Sequence, residues 1–479
     1  MFPELKKRAE FHSEHQDEST MLNDGELRCL GLQWIVDLAN HNMAKRLITE
    51  RLLKEAEERT RSGDYCDCYT TRERNLTLSM VLLARVSEIL SLSLFSFYML
   101  EIAQDFAANA ISLGLIFSVQ VVFTGIGGLV FGILGDYFGR KRTLMMILTV
   151  SSIGSAITAF SPNIAILVAA RAIVGLGCGG EWGIGMSMLN EICHKKVRGL
   201  VSGLIQGAYP LGMTIAAFLP MIVPDSPYPQ WRIGFAALIA PALLVVPVKV
   251  WMRESQMWLD FRLLKSHHRL PEEIAEVSGR FTFLQLWEKD LVKRTVLGLF
   301  LTTLGQLGFY TVWSWAPAYL QMEKGESFVA VANIVGIAWL VIGWPGHLLG
   351  GAISDRIGRR SAFTIWGIGY VASVLLLVRA GTLWEIFVSV AMNVFFAGYF
   401  GVYGALYGEL FPTRVRATAL NFLYNVGRAL AFPAPVLMGY FASISRWDIG
   451  LYLGAGLSLI SAVIIVWALP ELKARRLEM

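Results

Sequence analysis

Six ionisable side chains stand where a chain can least hold them: Arg85 and Glu88, Arg171 and Glu181, His347, and Arg428 all lie inside apolar runs. A charged residue at the centre of a membrane-crossing helix costs about 2.5–3.5 kcal/mol on insertion scales, so each needs a polar cavity, a partner or a function. Two chemistries fit these residue types. A carboxylate held away from water can take up and release a proton, and a guanidinium can hold an organic anion through paired hydrogen bonds. Glu88 reads as a proton carrier, or as a structural partner of Arg85 three residues earlier on the same helix face. Arg428 reads as the cation for a substrate carboxylate, or as a partner of Glu88 or of a backbone carbonyl. Arg171 and Glu181 are nearly three helical turns apart and cannot touch. Glu181 joins Glu88 as a coupling candidate. His347 is either a proton relay or a hydrogen-bonded packing residue. Gln120, Gln206, Gln306, Tyr310, Asn393, Tyr399 and Asn425 are hydrogen-bonding candidates for the lining of a cavity, and of these Asn425, Gln120, Gln306, Tyr310 and Tyr399 are expected at substrate beside Arg428.

The elements that must position these groups are apolar helices. The chain has 479 residues, of which 54% are hydrophobic and 16% charged; soluble domains carry about 25% charge. Segments of about twenty apolar residues fall near 76–103, 110–135, 143–160, 164–190, 200–223 and 232–251, and again near 295–320, 328–353, 361–379, 383–411, 416–441 and 448–469. The expected organisation is a hydrophilic cytoplasmic extension over 1–75, a six-helix bundle over 76–251, a charged central loop over 252–294, a second six-helix bundle over 295–469 and a tail over 470–479. Within the extension, 26–61 has the loose apolar spacing of one or two amphipathic helices. The net charge of +5 reflects basic residues in short loops, the positive-inside pattern. It does not describe a face for nucleic acid. Both termini are therefore expected in the cytoplasm. The five cysteines, Cys29, Cys66, Cys68, Cys178 and Cys193, have no disulfide-framework spacing.

One half of the chain repeats the other. Gly132, Asp136, Gly139, Arg140 and Lys141 recur as Gly351, Asp355, Gly358, Arg359 and Arg360, about 219 residues on; Glu191 with Arg198 recurs as Glu409 with Arg416, at the same separation of seven. A two-fold repeat of apolar helices points to a transporter with its site between the halves. Gly132, Asp136, Gly139, Arg140, Glu191, Arg198, Asp355, Arg356, Gly358, Arg359, Glu409 and Arg416 are expected to form a cytoplasmic gate whose contacts exist only when that side is closed.

The doubled G-x-x-x-D-x-x-G-R-K/R loop resembles the signature of the major facilitator superfamily, over roughly 76–472. The stretch Arg171-Ala-Ile-Val-Gly-Leu-Gly-Cys-Gly-Gly-Glu181-Trp182-Gly183 is similar to symporting members. Gly408-Glu409-Leu-Phe-Pro412-Thr-Arg414-Val-Arg416 with Tyr424-Asn425-Val-Gly427-Arg428 is similar to sialate, aromatic-acid and metabolite proton symporters, and the exit of the sixth helix resembles that of sugar porters. The resemblance implies an all-α membrane protein with twelve transmembrane helices in two bundles. It implies proton-coupled uptake of a small organic anion or related polar metabolite by alternating access, with Arg171 in coupling beside the carboxylates Glu88 and Glu181 read from the residues themselves. The expected setting is a monomer in the plasma (inner) membrane, whose partners are substrate, proton and the lipid bilayer. Neutral-sugar or multidrug transport, or a transporter-like nutrient receptor, are the alternatives. No enzyme, cofactor or metal is called for: Gly175–Gly180 follows no strand and so is no phosphate loop, and the chain has no nucleophile elbow.

Overall fold

The computed structural model describes residues 42–62, 65–193, 198–223, 229–271, 282–411 and 413–469; a few further side chains within helices, those of Arg198, Asp355 and Arg416 among them, lie outside the described set. The gate expectations for those three residues, and the helical expectation for 26–41, therefore fall outside the described residues.

Helix α1 (Asn42–Ser62) precedes the first long span, α2 (Thr71–Asp105). A capping box starts α2: the Thr70 backbone N–H donates to Glu73 Oε2 at 2.8 Å and the Glu73 N–H to Thr70 Oγ1 at 3.2 Å, satisfying donors that a helix start leaves free. Next come α3 (Ala110–Phe138), α4 (Arg140–Ala159), α5 (Ile164–Ile192), α6 (Arg198–Ile222) and α7 (Gln230–Trp251), then the short α8 (Gln256–Ser266). The second half contains α9 (Val292–Met322), α10 (Phe328–Ser354), α11 (Arg359–Arg379), α12 (Leu383–Leu410), α13 (Thr413–Leu430), α14 (Pro433–Ser443) and α15 (Trp447–Ala468).

Among the described residues eleven helices are long and apolar enough to cross a membrane. The twelfth crossing, expected over 416–441, is split into α13 and α14 at Ala431–Phe432. Pro433 lacks the N–H that a continuous helix would use, and its ring disfavours helical backbone before it. Two further prolines mark breaks as well. Pro317 follows a turn at Ser314–Trp315, and Pro345 follows a π-helical turn at Ala338–Gly343.

Within the first bundle α3 lies against α5 at near backbone contact. A methyl on Gly179 would stand 1.8 Å from the Thr124 carbonyl oxygen, and one on Gly127 2.0 Å from that of Leu176. Only glycine permits such an approach, as small residues do between membrane helices. The halves meet where α3 packs on α13 and α14 and where α6 packs on α10. The internal repeat is visible in the backbone: Gly139 caps α3, and Gly358 caps the helical stretch Trp344–Ile357 that continues α10, with φ of 91° and 97°, a conformation glycine adopts without strain.

Candidate functional site

The buried charges converge. Arg85 and Glu88, on one face of α2, are hydrogen-bonded to each other, and Arg85 Nη1 also lies 3.6 Å from Glu181 Oε2 on α5. From the other half, Arg428 on α13 reaches Glu88 Oε1 at 3.4 Å and donates from Nε to the Tyr310 hydroxyl of α9 at 2.9 Å. The pairing considered for each residue is formed: Glu88 is the partner of Arg85, and Arg428 the partner of Glu88. Two guanidinium groups and two carboxylates share one buried cluster, and the Glu88–Arg428 contact crosses between the halves. The carboxylates are not equivalent. Glu88 takes hydrogen bonds from both guanidinium groups, whereas neither oxygen of Glu181 accepts one among the described residues.

Beside the cluster is a cavity lined by Arg85, Ile89, Gln206, Tyr209, Gln306, Phe309, Tyr310, His347, Phe400, Tyr424 and Arg428. Its residues come from α2, α6, α9, α10, α12 and α13, so both halves build it. The space is about 20 Å³, against the roughly 300–1,000 Å³ of a ligand pocket. As it stands the space holds about one water, so a larger ligand needs the lining to rearrange.

Of the six residues expected at substrate, Arg428, Gln306 and Tyr310 line this cavity. The other three have different surroundings. Gln120 binds Arg171 through its carbonyl oxygen, at 2.9 Å to Nε and more closely to Nη2. Tyr399 donates to the Gly305 carbonyl at 3.1 Å within a stack of aromatic rings. Asn425 packs on Gly128 at the contact between α3 and α13. Arg171 is fully buried but apart from the carboxylates; it donates to Gln120 and to the Ser91 carbonyl and lies over the Phe95 and Phe235 rings. Tyr209 and Tyr424 were not anticipated. Their signal was present in helical spacing: Tyr209 is three residues after Gln206 and Tyr424 four before Arg428, on shared faces. Trp182, next to Glu181, stacks on Tyr424 at 4.7 Å and donates to Gln206 Oε1 at 3.2 Å.

The cytoplasmic loops are built from pairs inside each half. Arg140 donates to Glu191 Oε1 at 3.1 and 3.2 Å and to Asp136 Oδ1 at 2.9 Å. Its counterpart Arg359 reaches Glu409 at 2.6 Å and Ser354 at 2.6 Å. Each pair joins neighbouring helices of one bundle. Asp136 and Arg356 are exposed, and nothing lies within 4 Å of a methyl built on Gly132. Glu254, just after α7, completes the first loop. It accepts from the Lys141 N–H at 3.0 Å and lies so close to Gly139 that a methyl there would stand 2.3 Å from Oε2.

The extension is anchored to this region. On α1, Arg59 donates to Asp260 of α8 at 2.7 and 3.0 Å, and Leu53 and Ala56 pack on Leu263 and Leu264. Tyr69 donates to the Glu254 carbonyl at 3.1 Å and accepts from the Gln256 N–H at 2.6 Å.

Residues 84–479 match the family profile described as "Sugar (and other) transporter". A probable 4-methylmuconolactone transporter of Cupriavidus pinatubonensis is 27% identical over 402 residues, covering 81% of this chain and 88% of the relative. A cis,cis-muconate transport protein of Acinetobacter baylyi is 28% identical over 378 residues, covering 78% and 89%. The Escherichia coli xylose transporter XylE, in a partially occluded inward-open conformation, superposes with a TM-score of 0.66 at 17% identity, covering 85% of this chain and all of that one. It shares the fold, twelve helices in two bundles. The chain is a multi-pass membrane transporter and belongs to the sugar (and other) transporter family of the major facilitator superfamily.

Proposed function

We propose that this transporter takes up a small organic anion together with a proton, by alternating access around the cavity beside Arg428. The observation that carries this reading is the cross-half contact of Arg428 with Glu88 at 3.4 Å. An entering carboxylate competes with Glu88 for the Arg428 guanidinium, and Tyr310 remains to orient that guanidinium. Relatives named for transport of muconate and of a muconolactone support a carboxylate as the cargo. A neutral sugar has no need of a buried cation.

Charge balance accounts for coupling. With both carboxylates ionised, Arg85, Arg428, Glu88 and Glu181 sum to zero. A bound monoanion adds one negative charge in a medium where uncompensated charge is costly, and one proton restores neutrality. Glu181 is the group that receives it, because its oxygens accept no hydrogen bond while Glu88 stays bridged to Arg85. The neutral, loaded cluster and the neutral, empty one can both reorient; the anion-only cluster cannot. Arg171, held by Gln120 and Ser91, serves as a fixed structural cation. The protein works as a monomer in the inner membrane with both termini cytoplasmic, an orientation favoured by the basic loops.

The test uses proteoliposomes with an alkaline interior and radiolabelled benzoate, nicotinate and cis,cis-muconate as probes. Accumulation of at least one of the acids by the native protein, lost in Arg428→Gln, is expected. Undiminished accumulation by Arg428→Gln would overturn the role of Arg428, and accumulation of none of the acids by the native protein would point to a neutral-substrate carrier.

A further inference from the structure

His347 is a cavity residue that the coupling scheme does not use. It lies at the junction of the π-helical turn and the last stretch of α10, buried, with its ring parallel to Tyr209 at 6.3 Å and tilted against Trp339 at 6.0 Å. Its Nδ1 is 2.8 Å from the Gly343 carbonyl oxygen. A carbonyl only accepts, so Nδ1 carries the hydrogen. Among the described residues no carboxylate meets this ring, and a buried imidazole without a counter-ion is neutral. Nε2 is then a lone-pair acceptor, fixed in direction by the Gly343 bond and by the rings on either side. It borders the cavity and has no protein partner among the described residues.

The rest of the lining defines what can present a donor to it. Tyr209, Phe309, Tyr310, Phe400 and Tyr424 supply aromatic walls, and Arg428 the cation. The lining rings meet mostly edge to face, and such walls pack well on an aromatic ligand ring, offset-stacked or edge-on. We propose that His347 is a specificity-determining residue that accepts a hydrogen bond from a hydroxyl on the transported acid, so that planar hydroxylated carboxylates, such as monohydroxybenzoates, are preferred to the unsubstituted acid. The inference rests on the anion reading of the cavity. A hydroxyl-bearing acid satisfies Nε2 where the parent acid leaves it unpaired, and the asymmetry between a made and an unmade buried hydrogen bond is the source of discrimination.

The experiment measures binding of benzoate, 3-hydroxybenzoate and 4-hydroxybenzoate to the purified full-length protein by calorimetry at fixed pH. The better hydroxylated isomer is expected to bind about tenfold more tightly than benzoate. His347→Asn keeps an amide N–H where Nδ1 stands and puts nothing where Nε2 stands; it should bring the ratio to about one. His347→Gln, whose carbonyl oxygen reaches the position of Nε2, should restore part of it. A native ratio below about twofold, or one unchanged in His347→Asn, overturns the proposal. If benzoate binds, Arg428→Gln abolishes that binding and no hydroxyl preference exists, only the role of His347 falls. If none of the three acids binds a cooperatively folded protein, the anion reading falls together with it.

Discussion

Replacing Glu88 by Gln should tighten, not weaken, the binding of an organic anion. Glu88 occupies Arg428 in this conformation, at 3.4 Å, and both side chains are nearly inaccessible. Binding of a carboxylate therefore begins with the loss of that contact. Charge-assisted hydrogen bonds contribute about 1.5–3 kcal/mol, and the length of this one places it at the lower end. Removing the competitor at about 1.5 kcal/mol corresponds to a gain of about tenfold in affinity. Glu88→Gln also leaves the cluster with one net positive charge, which acts in the same direction. Trp182 stacks on Tyr424 in the cavity wall and gives a fluorescence signal for titration with benzoate or cis,cis-muconate, with Arg428→Gln as the control that should not bind. Weaker or unchanged binding in Glu88→Gln would refute the competition on which the mechanism depends.

Further outcomes are expected at the anchor of α1 and at the first cytoplasmic loop. Asp260 is buried while Arg59 is part-exposed, so Arg59→Ala leaves a buried carboxylate without its cation and with only the Gln256 amide as partner among the described residues, and should cost about 1–3 kcal/mol, read as a lower melting temperature; Asp260→Ala, which leaves an arginine free to turn outward, should cost less, and deletion of residues 1–70 should yield an inserted but less heat-resistant carrier. Gly139→Ala combines a φ of 91° with a methyl 2.3 Å from Glu254 Oε2, strain of about 1–3 kcal/mol that should slow transport while leaving anion affinity within about twofold, checked by initial rates and calorimetry on one preparation.

Much of the fold could be read from the residues because its determinants are local. Apolar runs of about twenty give spans, Asn109, Asn163 and Thr382 cap them, and the doubled glycine–arginine loops mark the repeat. The convergence of Glu88 with Arg428 followed from similar depth in helices of opposite halves. Lateral position was the missing information. Depth along a helix axis says how far a side chain lies into the membrane, but the direction it faces depends on tertiary packing. Gln120 and Arg171 satisfy each other within one bundle, Tyr399 turns into its own aromatic stack, and Asn425 faces Gly128, although each lies deep in an apolar segment. The same limit applied to the cytoplasmic loops: the pairing of Arg140 with Glu191 and of Arg359 with Glu409 within a half depends on which helices are neighbours, which spacing along the chain does not state. The anchoring of α1 on α8 is likewise a contact between residues about 200 apart in sequence.

The central claim is that one proton balances one monoanion at Glu181. Such a cycle moves no net charge, so in proteoliposomes a pH gradient should drive accumulation by about 1.4 kcal/mol per pH unit, and a membrane potential set by potassium and valinomycin without a pH gradient should drive none. Benzoate is the probe, measured in parallel on the native protein, Glu181→Gln and protein-free liposomes, whose passive uptake of benzoic acid is subtracted. The account predicts pH-driven and voltage-insensitive accumulation by the native protein, with exchange of internal for external benzoate, but no accumulation, by Glu181→Gln. Accumulation driven by voltage alone, or pH-driven accumulation that survives in Glu181→Gln, would contradict it.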